Sequence, residues 1–241
     1  MPAKKDAALP CKIIPFQNGD KTAEETWASP IKNRARDIGN FPNPSRVLLI
    51  GPPGGGKSTL VKNLVIHQRP RFDEVYLIHE DAGATRDYED LEPTAEMSDV
   101  PDLDFWSELP EKDDRGRVIK RAVICDDLEL THAHKERKRN LGILFRYASS
   151  HKNLTVYFCH QSFFDLPSLI KKMSNVFIVW KPRARNEVSL IENRVGLKKG
   201  DLSLLFAQVA TGSRDSICID HTLGTPAPLR LNVWEPLVIE D

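Results

Sequence analysis

The sequence predicts an α/β fold, a mostly parallel sheet flanked by helices. Three observations lead there. After residue 45, short apolar runs alternate with longer helical or loop segments, the pattern of βαβ units. One run, Arg46-Val-Leu-Leu-Ile50, passes straight into a glycine-rich turn and then into a helical stretch. A later run, Arg121-Ala-Val-Ile-Cys-Asp-Asp-Leu128, ends in two acids that a strand would carry to the sheet edge.

Taken in order, residues 1–43 read as a polar N-terminal tail and lead-in, with a short strand over Lys12-Ile-Ile-Pro-Phe16 and prolines at 30 and 42. Residues 44–241 read as one domain. Strands are expected over 47–50, 75–78, 122–126, 154–159 and 176–180, with later ones over 216–220 and 229–233. Helices are expected to begin at Lys57 and near Lys135, Pro167 and Asn186. The stretch from Glu80 to Lys120 is long for one crossover. With Pro93, Pro101 and Pro110 it reads as one or two short helices at the sheet edge, then a turn.

Composition excludes several classes. At 241 residues and 40% apolar, the chain can bury a sizeable core, so wholesale disorder is excluded. No apolar run approaches the roughly 20 residues of a membrane-spanning helix, and Met-Pro-Ala-Lys-Lys-Asp is no secretory leader. The four cysteines, at 11, 125, 159 and 218, form no C-x-x-C pair, which favours a reducing, intracellular setting without a disulfide or zinc framework. The 34 basic and 34 acidic residues cancel, which argues against uniform coating of nucleic acid. The cancellation hides an asymmetry. Residues 73–114 carry 16 acids against 2 bases, and residues 115–200 carry 18 bases against 7 acids. Solvated helix faces and a basic face that tracks a polyanion are both open readings of that pattern.

Gly51-Pro-Pro-Gly-Gly-Gly-Lys-Ser58 matches the phosphate-loop motif G-x-x-x-x-G-K-[ST] in full, with a strand before it and a helix after it. Gly51, Pro52, Pro53, Gly54, Gly55, Gly56, Lys57, Ser58 and Thr59 are therefore the nucleotide-binding candidates. Backbone N–H groups of such a turn point at phosphate oxygens, and the positive end of the next helix adds to them. Lys57 would reach the β- and γ-phosphates of ATP, and the Ser58 hydroxyl would ligate Mg²⁺.

The remaining chemistry comes from strand ends. Asp126 would hold Mg²⁺ through water, and Asp127 would orient or deprotonate the attacking water. Either acid could instead cap a helix. Leu154-Thr-Val-Tyr-Phe-Cys-His-Gln161 is a further strand with a polar tip, and Gln161 can hydrogen-bond the γ-phosphate or the water. His160 reads as a core or loop histidine. Arg146 ranks first among arginines that a neighbouring subunit could receive, ahead of Arg183 and Arg185. Lys135, Arg137, Lys138 and Arg139 could contact nucleic-acid phosphates or simply face water, and no zinc pattern accompanies His132 and His134.

Together these blocks resemble the genome-packaging ATPases of large double-stranded DNA viruses, the poxvirus-type branch of the FtsK–HerA superfamily. The resemblance covers about residues 44–236. It rests on the Gly51–Ser58 cradle, on Phe72-Asp-Glu-Val-Tyr-Leu-Ile78 with Tyr88 and Leu91, and on Val123-Ile-Cys-Asp-Asp-Leu128. Its more specific part is His151-Lys-Asn-Leu-Thr-Val-Tyr-Phe-Cys-His-Gln-Ser162, followed by Phe164-Asp-Leu-Pro-Ser-Leu-Ile170 and Asn175-Val-Phe-Ile-Val. Lys171 stands where an arginine is usual, and Ser149-Ser150 stands where a basic residue is common. The resemblance implies a P-loop NTPase with a RecA-like (ASCE) core and a homo-oligomeric ring around double-stranded DNA. It also implies ATP- and Mg²⁺-driven loading of a capsid through a capsid or portal-vertex protein, with no membrane anchor, in the host cytoplasm or viral factory. A cellular HerA- or FtsK-like translocase, a nucleoside or small-molecule kinase, and a non-catalytic nucleotide-gated assembly protein are the alternatives.

Overall fold

The computed structural model describes residues 11–13, 41–68, 70–81, 87–130, 135–222, 225 and 227–239. Expectations for the rest of the tail, for His132 and His134 and for the Arg185 side chain lie outside the described residues.

The strands are β1 (Cys11–Ile13), β2 (Arg46–Ile50), β3 (Glu74–His79), β4 (Ala95–Met97), β5 (Arg121–Asp126), β6 (Leu154–His160), β7 (Val176–Trp180), β8 (Ser216–Asp220), β9 (Leu229–Leu231) and β10 (Glu235–Ile239). The helices are α1 (Lys57–His67), α2 (Leu103–Glu108), α3 (Lys135–Ile143), α4 (Ser149–His151), α5 (Ser168–Met173), α6 (Arg185–Val195) and α7 (Asp201–Gln208). A wide π-type turn, Leu144–Ala148, joins α3 to α4.

All ten strands form one sheet in the order β1-β10-β9-β8-β7-β2-β6-β5-β3-β4. From β7 to β4 every pair is parallel, whereas β8, β9, β10 and β1 add antiparallel strands on the other side. The mostly parallel sheet is as expected. Within the antiparallel flank only the β9–β10 return is tight, over residues 232–234, whereas β7 reaches β8 through α6 and α7 and β1 joins β10 from the far end of the chain.

Strand periodicity divides the core in two. Val47, Leu49, Ala122, Ile124, Tyr157, Cys159, Ile178 and Trp180 face α1. Leu48, Ile50, Val123, Cys125, Phe158 and Val179 face the other layer, which α3, α5, α6 and α7 complete. Buried side chains of this size each contribute about 1.5–3 kcal/mol, so both faces of the central strands are fixed in register.

Four elements, β4, β9, α7 and β10, differ from the sequence expectation. The Glu80–Lys120 stretch contains α2 and a 3-10 turn at Glu89–Leu91, but also the parallel edge strand β4. The run expected over 229–233 stops at Leu231, where Asn232 and Val233 take positive φ and turn the chain into β10. α7 and β10 are additional to the expected elements. Cys125, Cys159 and Cys218 are buried. Among the described residues, no helix is long and apolar enough to cross a membrane.

Candidate active site at the strand tips

The glycine-rich segment 51–56 leaves the tip of β2 and turns directly into α1. Two glycines are required by geometry. Gly56 has φ 99°, a left-handed value that side chains rarely adopt. A Cβ on Gly51 would stand 2.6 Å from Cβ of Trp180, so only glycine lets the loop rest on that buried indole. The Gly51 N–H donates to the His160 carbonyl, which ties the loop to β6 (3.2 Å).

Lys57 is buried and donates to the carbonyls of Gly51 (2.7 Å) and Pro52 (3.1 Å). Burial pulls its ammonium below the usual lysine range, against the opposing pull of Cys159, Asp126 and Asp127. Gly54, Gly55, Gly56, Lys57, Ser58 and Thr59 line one side of a cleft of about 550 Å³. The volume suits a small ligand.

Asp126 lies at the end of β5 and, by the two-residue period, shares the α1-facing side with Ala122 and Ile124. Its Oδ2 accepts from Ser58 Oγ (2.8 Å) and from the buried Tyr88 hydroxyl (2.6 Å). Burial pushes the Tyr88 phenol far up, so it stays a donor. Ser58 Oγ and Asp126 Oδ2 are two hard oxygens at nearly the spacing of adjacent ligands on an octahedral ion with bonds of about 2.0–2.1 Å, roughly 2.9 Å. The donor set thus fits Mg²⁺.

The next residue turns outward. Asp127 has φ 52° and is exposed. Gln161, just past β6, donates from Nε2 to Asp127 Oδ1 at 3.2 Å. His160 is held below its ordinary pKa by burial, against the opposing charges of Asp165, Asp127 and Glu129. A second cleft of about 290 Å³ runs between Pro52 and Pro53 on one wall and Gln161 and Arg183 on the other.

The structure therefore brings Lys57, Ser58, Asp126, Asp127 and Gln161 together at adjacent tips. Asp126 is not on the strand beside β2, because β6 lies between β2 and β5. Arg146 stands apart, in a groove with Lys138, Arg139 and Tyr147 against Leu103 and Asp104 of α2. Within the basic run, Arg137 is committed internally. It donates to Asp99 (2.8 Å), to the Glu129 carbonyl (2.9 Å) and to Glu80. Lys135, Lys138 and Arg139 are exposed. The contact of Tyr88 with the acid and the place of Arg214 in the phosphate-loop cleft have no signal in the local sequence.

The phosphate loop between β2 and α1, with β6 inserted before the acidic strand, defines the fold of a P-loop NTPase of the RecA-like kind. Compared with solved structures, the chain is similar to the genome packaging NTPase B204 from Sulfolobus turreted icosahedral virus 2 in complex with sulfate. The TM-score is 0.53 at 13% identity, over 79% of this chain and 96% of that one. It is also similar to B204, the DNA-packaging ATPase from Sulfolobus turreted icosahedral virus, with TM-score 0.51 at 15% identity over 78% and 97%. The pCW3 conjugation coupling protein TcpA with ATPγS gives TM-score 0.55 at 14% identity, over 83% of this chain and 61% of that one. At these identities the likeness is one of fold. By sequence, the chain matches no protein-family model and no curated protein.

Proposed function

We propose that the chain is an ATP-hydrolysing motor that moves double-stranded DNA, and that its task is to package a viral genome into a capsid. One observation carries the hydrolytic part. A lysine in a glycine cradle, a serine–aspartate pair at 2.8 Å and a glutamine-held second aspartate meet at the adjacent tips of β2, β6 and β5. The DNA part is supported by the likeness in fold to genome-packaging and conjugation coupling proteins and by the Gln161-Ser162 block with its downstream Leu166-Pro167 helix.

In this reading, loop N–H groups and Lys57 bind the β- and γ-phosphates, with Lys57 exchanging its two carbonyl partners for phosphate oxygens. Ser58 and Asp126 would hold Mg²⁺, which would offset the negative charge of the phosphates when bound. Gln161 orients a water in line with the γ-phosphorus. Asp127 takes one of its protons as the new P–O bond forms and the bond to the ADP oxygen breaks, then returns it to the released phosphate. The exposed acid after the Mg²⁺ residue favours water attack over transfer to a nucleoside. Arg146, turned away from its own cleft, acts on a neighbour in a homo-oligomeric ring. Lys138 and Arg139 beside it supply sequence-tolerant phosphate contacts.

The test is ATP hydrolysis by the purified full chain with and without linear double-stranded DNA. Stimulation by DNA, lost in Lys57→Ala and in Arg146→Ala, is expected. DNA-independent turnover by a stable monomer would count against the motor.

A further inference from the structure

The cleft over the phosphate loop has walls that the loop does not supply. Besides the loop itself it is lined by Leu60, Lys62 and Asn63 of α1, by Asp87 and by Arg214. Arg214 lies on a short turn before β8 that is pinned at four points. Asp215 N–H donates to the Gly212 carbonyl (3.1 Å), Gly212 N–H donates to Asp215 Oδ2 (2.7 Å), and Asn232 Nδ2 donates to Asp215 Oδ1 (3.2 Å). The fourth bond runs from Trp180 Nε1 to the Arg214 carbonyl at 3.0 Å.

Trp180 is the residue on which Gly51 rests, so one buried indole supports both the phosphate cradle and the turn that carries Arg214. The register places them together, since Ser216 pairs with Trp180 and Arg214 lies two residues further toward the same sheet edge. Asp126 is on the other side of the loop. β8 and β5 are four strand spacings apart, about 19 Å at roughly 4.8 Å each. A triphosphate whose terminal group lies at Ser58 and Asp126 therefore has its nucleoside end toward Arg214. A guanidinium suits that end, because it stacks on the face of an aromatic base.

We infer that Arg214 binds the nucleoside end of the nucleotide held by its own subunit, an assignment that rests on the nucleotide-binding reading above. It is a binding residue, supplied in cis, on a wall of the site that the phosphate-loop motif does not include.

Calorimetric titration of the full chain with ADP and with inorganic tripolyphosphate tests this in the wild type, Arg214→Ala and Arg214→Lys. The side chain is exposed, so all three proteins should share one thermal midpoint. The expected result is an ADP Kd raised about tenfold in Arg214→Ala, partly restored by lysine, with tripolyphosphate binding unchanged. Unchanged ADP affinity would overturn the inference, as would an equal loss for tripolyphosphate. A wild-type protein that binds neither probe would overturn the nucleotide reading itself, and this inference with it.

Discussion

The hydroxyl of Tyr88 lies 2.6 Å from Oδ2 of Asp126, the same oxygen that receives Ser58 Oγ. Tyr88 is almost wholly buried, and its ring belongs to the core layer under α1. It therefore fixes the carboxylate from below while the serine approaches from the loop. Tyr88→Phe keeps the ring and removes one hydrogen bond to a charged group, a loss of about 1.5–3 kcal/mol. A lower urea midpoint is expected, and half-maximal hydrolysis should need about tenfold more Mg²⁺. An unaltered Mg²⁺ dependence would mean that the tyrosine only packs.

Lys57→Ala and Asp127→Asn separate binding from chemistry. The first removes the buried cation of the cradle, and nucleotide binding should fall with hydrolysis. The second leaves the cradle intact. Hydrolysis should drop by about 10²–10⁴-fold, as expected for loss of a general base, with ADP affinity within a factor of about two. Loss of ADP binding in Asp127→Asn would place that acid in the binding site instead.

Gln161 and Asp127 are hydrogen-bonded across two strand tips and should act as a unit. Gln161→Ala alone is expected to slow single-turnover hydrolysis by about 10²-fold. Combined with Asp127→Asn it should cost little more than the worse single change. Fully additive losses in that double-mutant cycle would show that the contact has no part in turnover.

Gly51→Ala inserts a Cβ 2.6 Å from Cβ of Trp180. The indole is buried and cannot yield without moving the Arg214 turn, to which it is hydrogen-bonded. Overpacking of this kind costs about 1–3 kcal/mol, read as a lower urea midpoint, and ADP binding should weaken with it. A variant as stable as the wild type would show that the loop can lift off its support.

Two histidines set the acid limit. His160 is held below the ordinary value of 6.5 by burial and by Lys57, against the opposing Asp165, Asp127 and Glu129. His221 is held below it by burial and by Arg194, against Asp220. Below 6.5, and down to the lowered native values, the unfolded chain binds more protons than the native one. Stability therefore rises with pH through that window and is lost as pH falls through it. Urea midpoints should drop between about pH 7.5 and about pH 5.5, with a shallower slope in His160→Gln. Identical slopes in the two proteins would remove His160 from the account.

What the sequence makes legible is what is local and periodic. The cradle is eight consecutive residues between a strand and a helix, and Asp126 and Asp127 end a run whose alternation puts one acid inside and one out. β4 is hidden because it is three residues long, with an exposed glutamate at its centre. It is held by pairing with β3 and by the bond from Thr94 N–H to the Val75 carbonyl (2.7 Å) rather than by propensity. α7 carries its signal openly in Leu202, Leu205 and Phe206, spaced i, i+3, i+4 and all buried, behind a left-handed Gly200. Tyr88 and Arg214 are different. Tyr88 is 38 residues from the acid that it touches, and Arg214 sits in a polar loop whose position follows only from the closure of β8 on β7. Nothing within a few residues of either shows the contact.

Lys57 already has company, since its ammonium is spoken for by the carbonyls of Gly51 and Pro52. Under the proposed function an arriving triphosphate would therefore enter by a swap of partners, and on its departure the ammonium would return to oxygen atoms already beside it, so that no bare buried cation would be exposed between one turnover and the next.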